Sequence, residues 1–131
     1  MTVPSKARPS RDVDLPQFAL GSWHTYDRMD FDEIVRMLGA AVERGVTLFD
    51  LGVYGRYPQK FPLSNPKLGR TWTDVVFSRA MQQAGVNRDR FMIAEKIWLW
   101  AYPRLSIEEQ LDHALLRVGF DYSDFLMLGD I

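Results

Sequence analysis

The stretch VTLFDLGVYG, residues 46–55, combines a buried-looking strand with two side chains that can exchange protons. Its first residues are apolar or β-branched, and they predict a strand over Val46–Leu51. Asp50 falls at the end of this strand, and Tyr54 follows four residues later on a turn beside Gly55. Two interpretations follow. Asp50 only bonds the turn, or Asp50 and Tyr54 begin a proton-transfer site.

Strand and helix patterns alternate along the chain on both sides of this stretch. Glycines stand where the predicted helices end, and a capping box at Ser106–Glu109 begins the third helix. The predicted helices span Asp30–Arg44, Thr73–Ala84 (with Thr71 as an alternative cap) and Ser106–Val118, and the predicted strands span Gln17–Leu20, Val46–Leu51, Phe91–Ala94 and Asp124–Leu128.

This order of elements predicts parallel strands joined by right-handed crossovers. The expected fold class is α/β: half of a (β/α)8 barrel, with four parallel strands and three intervening helices. A dinucleotide-binding or P-loop fold is disfavoured because GSWHTYDR, residues 21–28, lacks the glycine pattern of those folds. Residues 1–14 are expected to form a flexible leader, and residues 15–131 a single domain.

Composition disfavours several classes of partner and site. The net charge of −1 provides no basic surface for nucleic acid or an anionic membrane. The chain has no cysteine, which excludes disulfides, a thiol nucleophile and cysteine-ligated metals, and no metal site is predicted. No apolar run reaches the ~18 residues of a membrane span, and the polar N-terminus lacks a secretory signal, so a cytoplasmic location is expected.

Polar and aromatic side chains collect at the predicted carboxyl ends of the strands, where such barrels carry their chemistry. The second strand delivers Asp50 and Tyr54, and the third delivers Lys96. An ammonium beside a phenol stabilises the phenolate, so we expect the pKa of Tyr54 to lie below its ordinary value of about 10. The aromatic side chains at this edge favour either a pocket for a flat ligand or a protein interface. The predicted substrate-binding residues are Trp23, His24, Tyr57, Trp98, Trp100 and Asp130.

Four blocks of the sequence resemble the first part of an aldo-keto reductase: FALGSW (residues 18–23), AVERGVTLFDLGVYG (41–55), FMIAEK (91–96) and SIEEQLDHALLRVGFDYSDFLML (106–128). The resemblance implies a (β/α)8 barrel that uses NADPH to reduce carbonyl compounds. It also implies that Asp50, Tyr54 and Lys96 occupy the positions of the family's aspartate, proton-donating tyrosine and lysine.

The sequence departs from the family pattern at three points. The spacing from Asp50 to Tyr54 is one residue shorter than is usual, and Gly129 stands where the family has a histidine. The chain ends after the fourth of eight strands, whereas much of the NADPH-binding surface of the family comes from the later strands. No cofactor-binding residues are therefore assigned.

The sequence is compatible with three functions. The first is NADPH-dependent carbonyl reduction, with Tyr54 as the proton donor tuned by Lys96 and Asp50. The second is cofactor-free acid–base catalysis by the same residues, as an isomerase, dehydratase or cyclase, on an aromatic or polyketide-like substrate. The third is ligand binding without catalysis. Because half a barrel has two exposed strand edges, a homodimer or a partner subunit is expected to complete it. The expected inward-facing residues are Phe49, Leu51, Ile93 and Met127.

Overall fold

A computed structural model describes residues 14–54 and 71–129 of the 131-residue chain. Strands and α-helices alternate along these residues. Only the last residue of the predicted leader lies within the described part, and Tyr57 and Asp130 lie outside it. The strands are β1 (Ala19–Gly21), β2 (Leu48–Gly52), β3 (Met92–Trp98) and β4 (Phe125–Gly129), and the α-helices are α1 (Phe31–Glu43), α2 (Thr73–Gln83) and α3 (Ile107–Val118).

The four strands form one parallel sheet in the order β1-β2-β3-β4. Neighbours in the sheet are also neighbours in sequence, so the sheet winds in one direction as a barrel does. A doubly wound sheet would instead reverse its strand order at a switch point. The prediction of four parallel strands with three intervening helices is confirmed.

Two of the three helices begin as the sequence predicts. The Asp30 carboxylate caps α1, and Ser106 and Glu109 form the reciprocal capping box of α3. The cap predicted for α2 is wrong, because Trp72 occupies that position and its side chain makes no capping hydrogen bond. The Thr73 hydroxyl instead donates to the Ser22 carbonyl at 2.6 Å and accepts from the Tyr26 amide at 3.1 Å. It therefore fastens the loop after β1 to α2.

The apolar core lies between the sheet and the helices. Phe49, Leu51 and Ile93 are at most 1% exposed and pack in one cluster with residues of α1 and α2. The expectation that these three side chains face the inside of a barrel is wrong. Met127 lies on the opposite face, since it stands in register beside Lys96. Alternation explains this placement, since Phe49 and Leu51 flank Asp50 and Ile93 lies three residues before Lys96, so all three point away from the face of Asp50 and Lys96.

Arg88 fastens β4 to β3 at the amino ends of these strands. Its guanidinium forms an ion pair with Asp124 at 2.7 Å, donates to the Phe91 carbonyl at 2.6 Å and lies 4.0 Å from the centre of the Tyr122 ring. Asp124 also accepts a hydrogen bond from the Ile93 amide at 2.8 Å. These contacts fix the register of β4, and with it the position of Gly129 at the far end of the strand.

β3 runs beyond the predicted end at Ala94 and includes Glu95 and Lys96. The two side chains point to opposite faces of the sheet. Glu95 is 2% exposed, on the helix side, near a part-buried ion pair in which Arg117 Nε lies 2.6 Å from Asp74 Oδ2. Burial, with the charges of Asp74 and Asp50, raises the pKa of Glu95 to about 8, against an opposing effect of Arg117.

Glu95→Gln is expected to stabilise the protein at about pH 8, by on the order of 2–4 kcal/mol. The folded carboxyl holds its proton up to about pH 8, whereas the unfolded one releases it near 4.5. The native state therefore loses stability as pH rises between these values, and the glutamine variant is spared this loss. Urea unfolding across this range measures the effect, with Glu43→Gln on the exposed end of α1 as control. A gain of the same size below about pH 4 would contradict this explanation.

Thr73→Val is expected to lower the free energy of unfolding by about 1–3 kcal/mol, because it leaves the buried Tyr26 amide without its acceptor and removes one of the two donors to the Ser22 carbonyl. Thr71→Val is the matched control. Thr71 is 3% exposed, and its hydroxyl has no hydrogen-bond partner among the described residues. Urea denaturation of both variants tests the role of Thr73, and equal losses in the two would contradict it.

Candidate active site

Three ionisable side chains meet at the carboxyl ends of β2 and β3. Lys96 Nζ lies 3.3 Å from Asp50 Oδ2 and 3.4 Å from Tyr54 Oη. Asp50 stands beside Ala94 in the sheet, and Gly52 stands beside Lys96, so Asp50 and Lys96 share one face. Both contacts are at the long end of the hydrogen-bonding range, as is common in catalytic sites without substrate. The sequence-predicted catalytic residues are thus adjacent.

The environment shifts the proton affinities of all three groups. Burial raises the pKa of Asp50, although Lys96 acts in the opposite direction. Burial alone would lower the pKa of Lys96, but Tyr54 and Asp50 outweigh it and the pKa is raised. Burial and the Asp50 charge raise the pKa of Tyr54 against the effect of Lys96. The expectation that Tyr54 ionises below its ordinary value is therefore wrong, because the ring is 2% exposed and also faces a carboxylate.

Two tryptophans enclose the Tyr54 ring. The Trp23 ring lies nearly parallel to it, with centroids 6.1 Å apart and planes 9° from each other. The Trp98 ring meets it edge-on at 5.6 Å. Trp23 is 48% exposed, whereas Trp98 is fully buried. Trp23 therefore forms the solvent side of this enclosure and Trp98 the protein side.

Trp98 is fixed by hydrogen bonds to three of its polar atoms. Its indole N–H donates to the Val53 carbonyl at 2.9 Å. The Gln110 side chain accepts from the Trp98 amide at 2.8 Å and donates to its carbonyl at 3.2 Å. Because the ring is buried and its N–H is bound, Trp98 belongs to the wall behind Tyr54 and not to the predicted ligand-facing group. Trp100 is partly buried and packs against Trp98, with centroids 6.4 Å apart.

His24 lies at the outer end of the same aromatic stack. Its backbone is in the left-handed region, with φ of 52°, and its ring stacks on Trp23 at 5.3 Å. Arg28 Nη2 lies 2.8 Å from His24 Nδ1. A guanidinium can only donate, so His24 Nδ1 accepts this bond. His24 would therefore make its predicted ligand contact through its other ring nitrogen, Nε2.

Tyr26 and Gln110 interact with the site although neither is among its predicted residues. Tyr26 is 1% exposed, and burial together with the Asp50 charge raises its pKa well above the ordinary value. Gln110 holds Trp98 in place from the first turns of α3. Tyr26 follows the first predicted strand, and Gln110 lies in the block at residues 106–128 that resembles the family. The sequence shows where each residue lies along the chain, but not the contacts between distant segments on which its role depends.

Two further findings concern the described residues as a group. Within residues 14–54 and 71–129, no cluster of three or more histidine, aspartate or glutamate side chains is arranged to hold a metal ion. None of the helices in these ranges is long and apolar enough to cross a membrane.

Comparison with solved structures identifies the architecture. An aldo-keto reductase from Klebsiella pneumoniae, solved in complex with NADPH, matches with 23% identity and a TM-score of 0.63, over 90% of this chain and 37% of that one. A thermostable aldo-keto reductase solved with the inhibitor epalrestat matches with 21% identity and a TM-score of 0.69, over 95% and 42%. An aldo/keto reductase from Brucella melitensis matches with 19% identity and a TM-score of 0.57, over 97% and 41%. The chain thus has the fold of these barrels over less than half of their length.

Sequence comparison gives the family. No curated protein sequence matches the chain significantly. The model of the aldo/keto reductase family matches residues 17–131, which include all four strands and all three helices. The chain belongs to the aldo/keto reductase family.

Proposed function

We propose that the protein reduces a carbonyl compound, with Tyr54 donating a proton to the carbonyl oxygen. The observation that carries the proposal is the contact of Lys96 Nζ with both Asp50 and Tyr54, at 3.3 and 3.4 Å. The K. pneumoniae reductase that shares this fold was crystallised with NADPH. A second copy of the chain is part of the proposal, because it would complete the barrel around the site.

The raised pKa of Tyr54 suits a proton donor that must stay protonated until the reaction begins. As negative charge develops on a carbonyl oxygen beside it, the phenol can transfer its proton. The Lys96 ammonium stabilises the phenolate that remains, and Asp50 keeps the ammonium in place. General acid catalysis of this kind typically contributes 10²- to 10⁴-fold to a rate.

NADPH, when bound, supplies a hydride to the carbonyl carbon. The described residues offer partners for its reacting end, since Asp50 Oδ1 is buried and has no hydrogen-bond partner among them. The cationic groups of Lys96 and Arg28 already face Asp50, Tyr54 and His24, so they are engaged. Neither of these two groups is therefore counted among the partners of the NADPH phosphates.

Access to the Tyr54 hydroxyl requires a covering side chain to move, because the residue is 2% exposed. Trp98 is buried and bound at its N–H, whereas Trp23 is 48% exposed. Displacement of the Trp23 ring would place a flat substrate against the face of Tyr54 that Trp23 now covers. The proposal therefore favours aromatic aldehydes and ketones as substrates.

The edges of the described sheet support the second copy. β1 and β4 each pair on one side only within the described residues. On the helix side of β4, Leu126 and Leu128 are 46% and 66% exposed. In an eight-stranded barrel formed by two copies, β4 of one copy would lie parallel to β1 of the other, and both edges would be paired.

Tyr54→Phe is expected to lower NADPH-dependent reduction of benzaldehyde by 10²- to 10⁴-fold. The measurement is the loss of NADPH absorbance, and Tyr102→Phe, at a tyrosine that is 58% exposed, is the control. Absence of both NADPH binding and NADPH oxidation in the wild-type protein would refute the proposed reduction. Turnover of an enolisable ketone without NADPH, lost in Tyr54→Phe, would establish cofactor-free acid–base catalysis in its place.

Light scattering is expected to give twice the chain mass of 15.2 kDa. Leu128→Lys should shift the mass to that of one chain, because it places a charge on the uncovered face of β4. Leu116→Lys changes a leucine that is 82% exposed on α3, and it should leave the mass unchanged. A wild-type protein that is monomeric at micromolar concentration would rule out the second copy.

A further inference from the structure

The Lys96 side chain lies between two glycines on the neighbouring strands. Gly52 ends β2 and stands directly beside Lys96, and Gly129 ends β4 and stands directly beside Trp98. Neither glycine has a φ in the left-handed region that glycine favours. Backbone conformation therefore does not explain why these two positions lack a side chain.

The lack of space at these two positions explains why neither has a side chain. A Cβ atom at Gly52 would lie 3.2 Å from Lys96 Cβ and 3.3 Å from Tyr54 Cζ. A Cβ atom at Gly129 would lie 3.0 Å from Lys96 Cγ and 3.0 Å from Trp98 Cζ3. Distances this short require a neighbour to move. The volumes that the two missing side chains would fill are already taken by Lys96, Tyr54 and Trp98.

The two positions act on different members of the site. Trp98 cannot yield at Gly129, since it is buried and hydrogen-bonded through its ring and its backbone. The Lys96 chain would yield there, because its middle carbons are flexible. At Gly52 the Lys96 contact is with Cβ, which the strand fixes, so the Tyr54 ring would yield.

The positions also account for two departures of the sequence from the family pattern. Tyr54 is one residue closer to Asp50 than is usual, yet its hydroxyl reaches Lys96 at 3.4 Å. It does so because the ring lies against Gly52, where any other residue would place a Cβ. At position 129, where the family has a histidine, the Lys96 chain and the Trp98 ring already occupy the space.

We propose that Gly52 and Gly129 are positioning residues, whose missing side chains hold the Lys96 ammonium between Asp50 and Tyr54. A histidine at position 129 would therefore damage the site and not restore it. The catalytic meaning of this inference rests on the proposed function of Tyr54, but the positioning itself can be measured without turnover.

The test follows the titration of Lys96 and Tyr54 by NMR, with ¹³C at lysine Cε and tyrosine Cζ. Assignment is practical because the chain has only four lysines and five tyrosines. Lys96→Met and Tyr54→Phe identify the two signals. In Gly129→Ala and Gly129→His the ammonium moves away from its partners, so the Lys96 midpoint should fall and the Tyr54 midpoint should rise, each by about half a pH unit or more.

Gly21→Ala is the matched control. Gly21 ends β1 on the same sheet, and a Cβ atom there would have no neighbour within 4 Å. In Gly21→Ala the titration midpoints of Lys96 and Tyr54 should match those of the wild type even if the melting temperature changes. This control separates positioning from a general loss of stability. If Gly129→Ala does not fold, Gly52→Ala carries the same test through the Tyr54 signal.

The outcomes distinguish the inference from the proposed function. Wild-type titrations in both glycine variants would overturn the positioning role, whatever the protein catalyses. If the glycine variants shift the titrations but the wild-type protein shows no carbonyl reduction, the positioning role is supported and the proposed function is refuted. If both hold, Gly129→Ala and Gly129→His should lower turnover on the order of 10- to 100-fold, as misplacement of a catalytic group does.

Discussion

The alternation of side chains along β3 is the constraint on which both the core and the candidate site depend. Two consecutive charged residues, Glu95 and Lys96, must point to opposite faces of the sheet. Lys96 reaches a carboxylate and a phenol at the edge of the sheet, so its charge is compensated. Glu95 enters the layer between sheet and helices, where burial and two carboxylates favour its protonated form. The strand that positions Lys96 in the candidate site therefore also places the Glu95 carboxyl in the core.

The same constraint makes the site a coupled system. Asp50 acts on Tyr54, Tyr26, Lys96 and Glu95, and it raises the pKa of each of them. A proton gained or lost by Asp50 therefore changes the pKa of groups on both faces of the sheet. For Tyr54 the effects of burial and Asp50 exceed that of Lys96. The phenol keeps its proton in the resting protein, and donation waits for negative charge to develop beside it.

Much of the fold could be predicted from the sequence because local signals mark its boundaries. The capping box at Ser106 and the left-handed Gly119 fix both ends of α3, and the apolar runs give the strands in order. The proximity of Asp50, Tyr54 and Lys96 then follows from parallel topology alone. The alternation of side chains is a further signal: Phe49 directly precedes Asp50, so it cannot share the face that carries the site. The prediction that Phe49 faces the inside of the barrel neglects this alternation, and it is wrong.

The acidity of Tyr54 could not be predicted from the sequence alone. A sequence shows that a lysine will approach the phenol, but it does not show that Trp23 and Trp98 exclude water from the ring. Likewise, residue type alone favours a threonine as the cap of α2. In the fold that hydroxyl bonds a distant loop. Where contacts between distant segments compete with local preference, local patterns alone mislead.

The hydrogen bonds of Gln110 give the two sides of the Tyr54 ring unequal freedom. Behind the ring, Trp98 is tied to α3 through both its amide and its carbonyl, so it cannot shift unless the helix moves with the strand. In front of the ring, Trp23 is half in solvent and can turn about its own side-chain bonds. A molecule that takes the place of Trp23 would meet the Tyr54 ring, which Trp98 holds from behind, on one side and the adaptable Trp23 on the other. The fixed face of Tyr54 would restrict its shape more than Trp23 does, so selectivity at this edge would be one-sided.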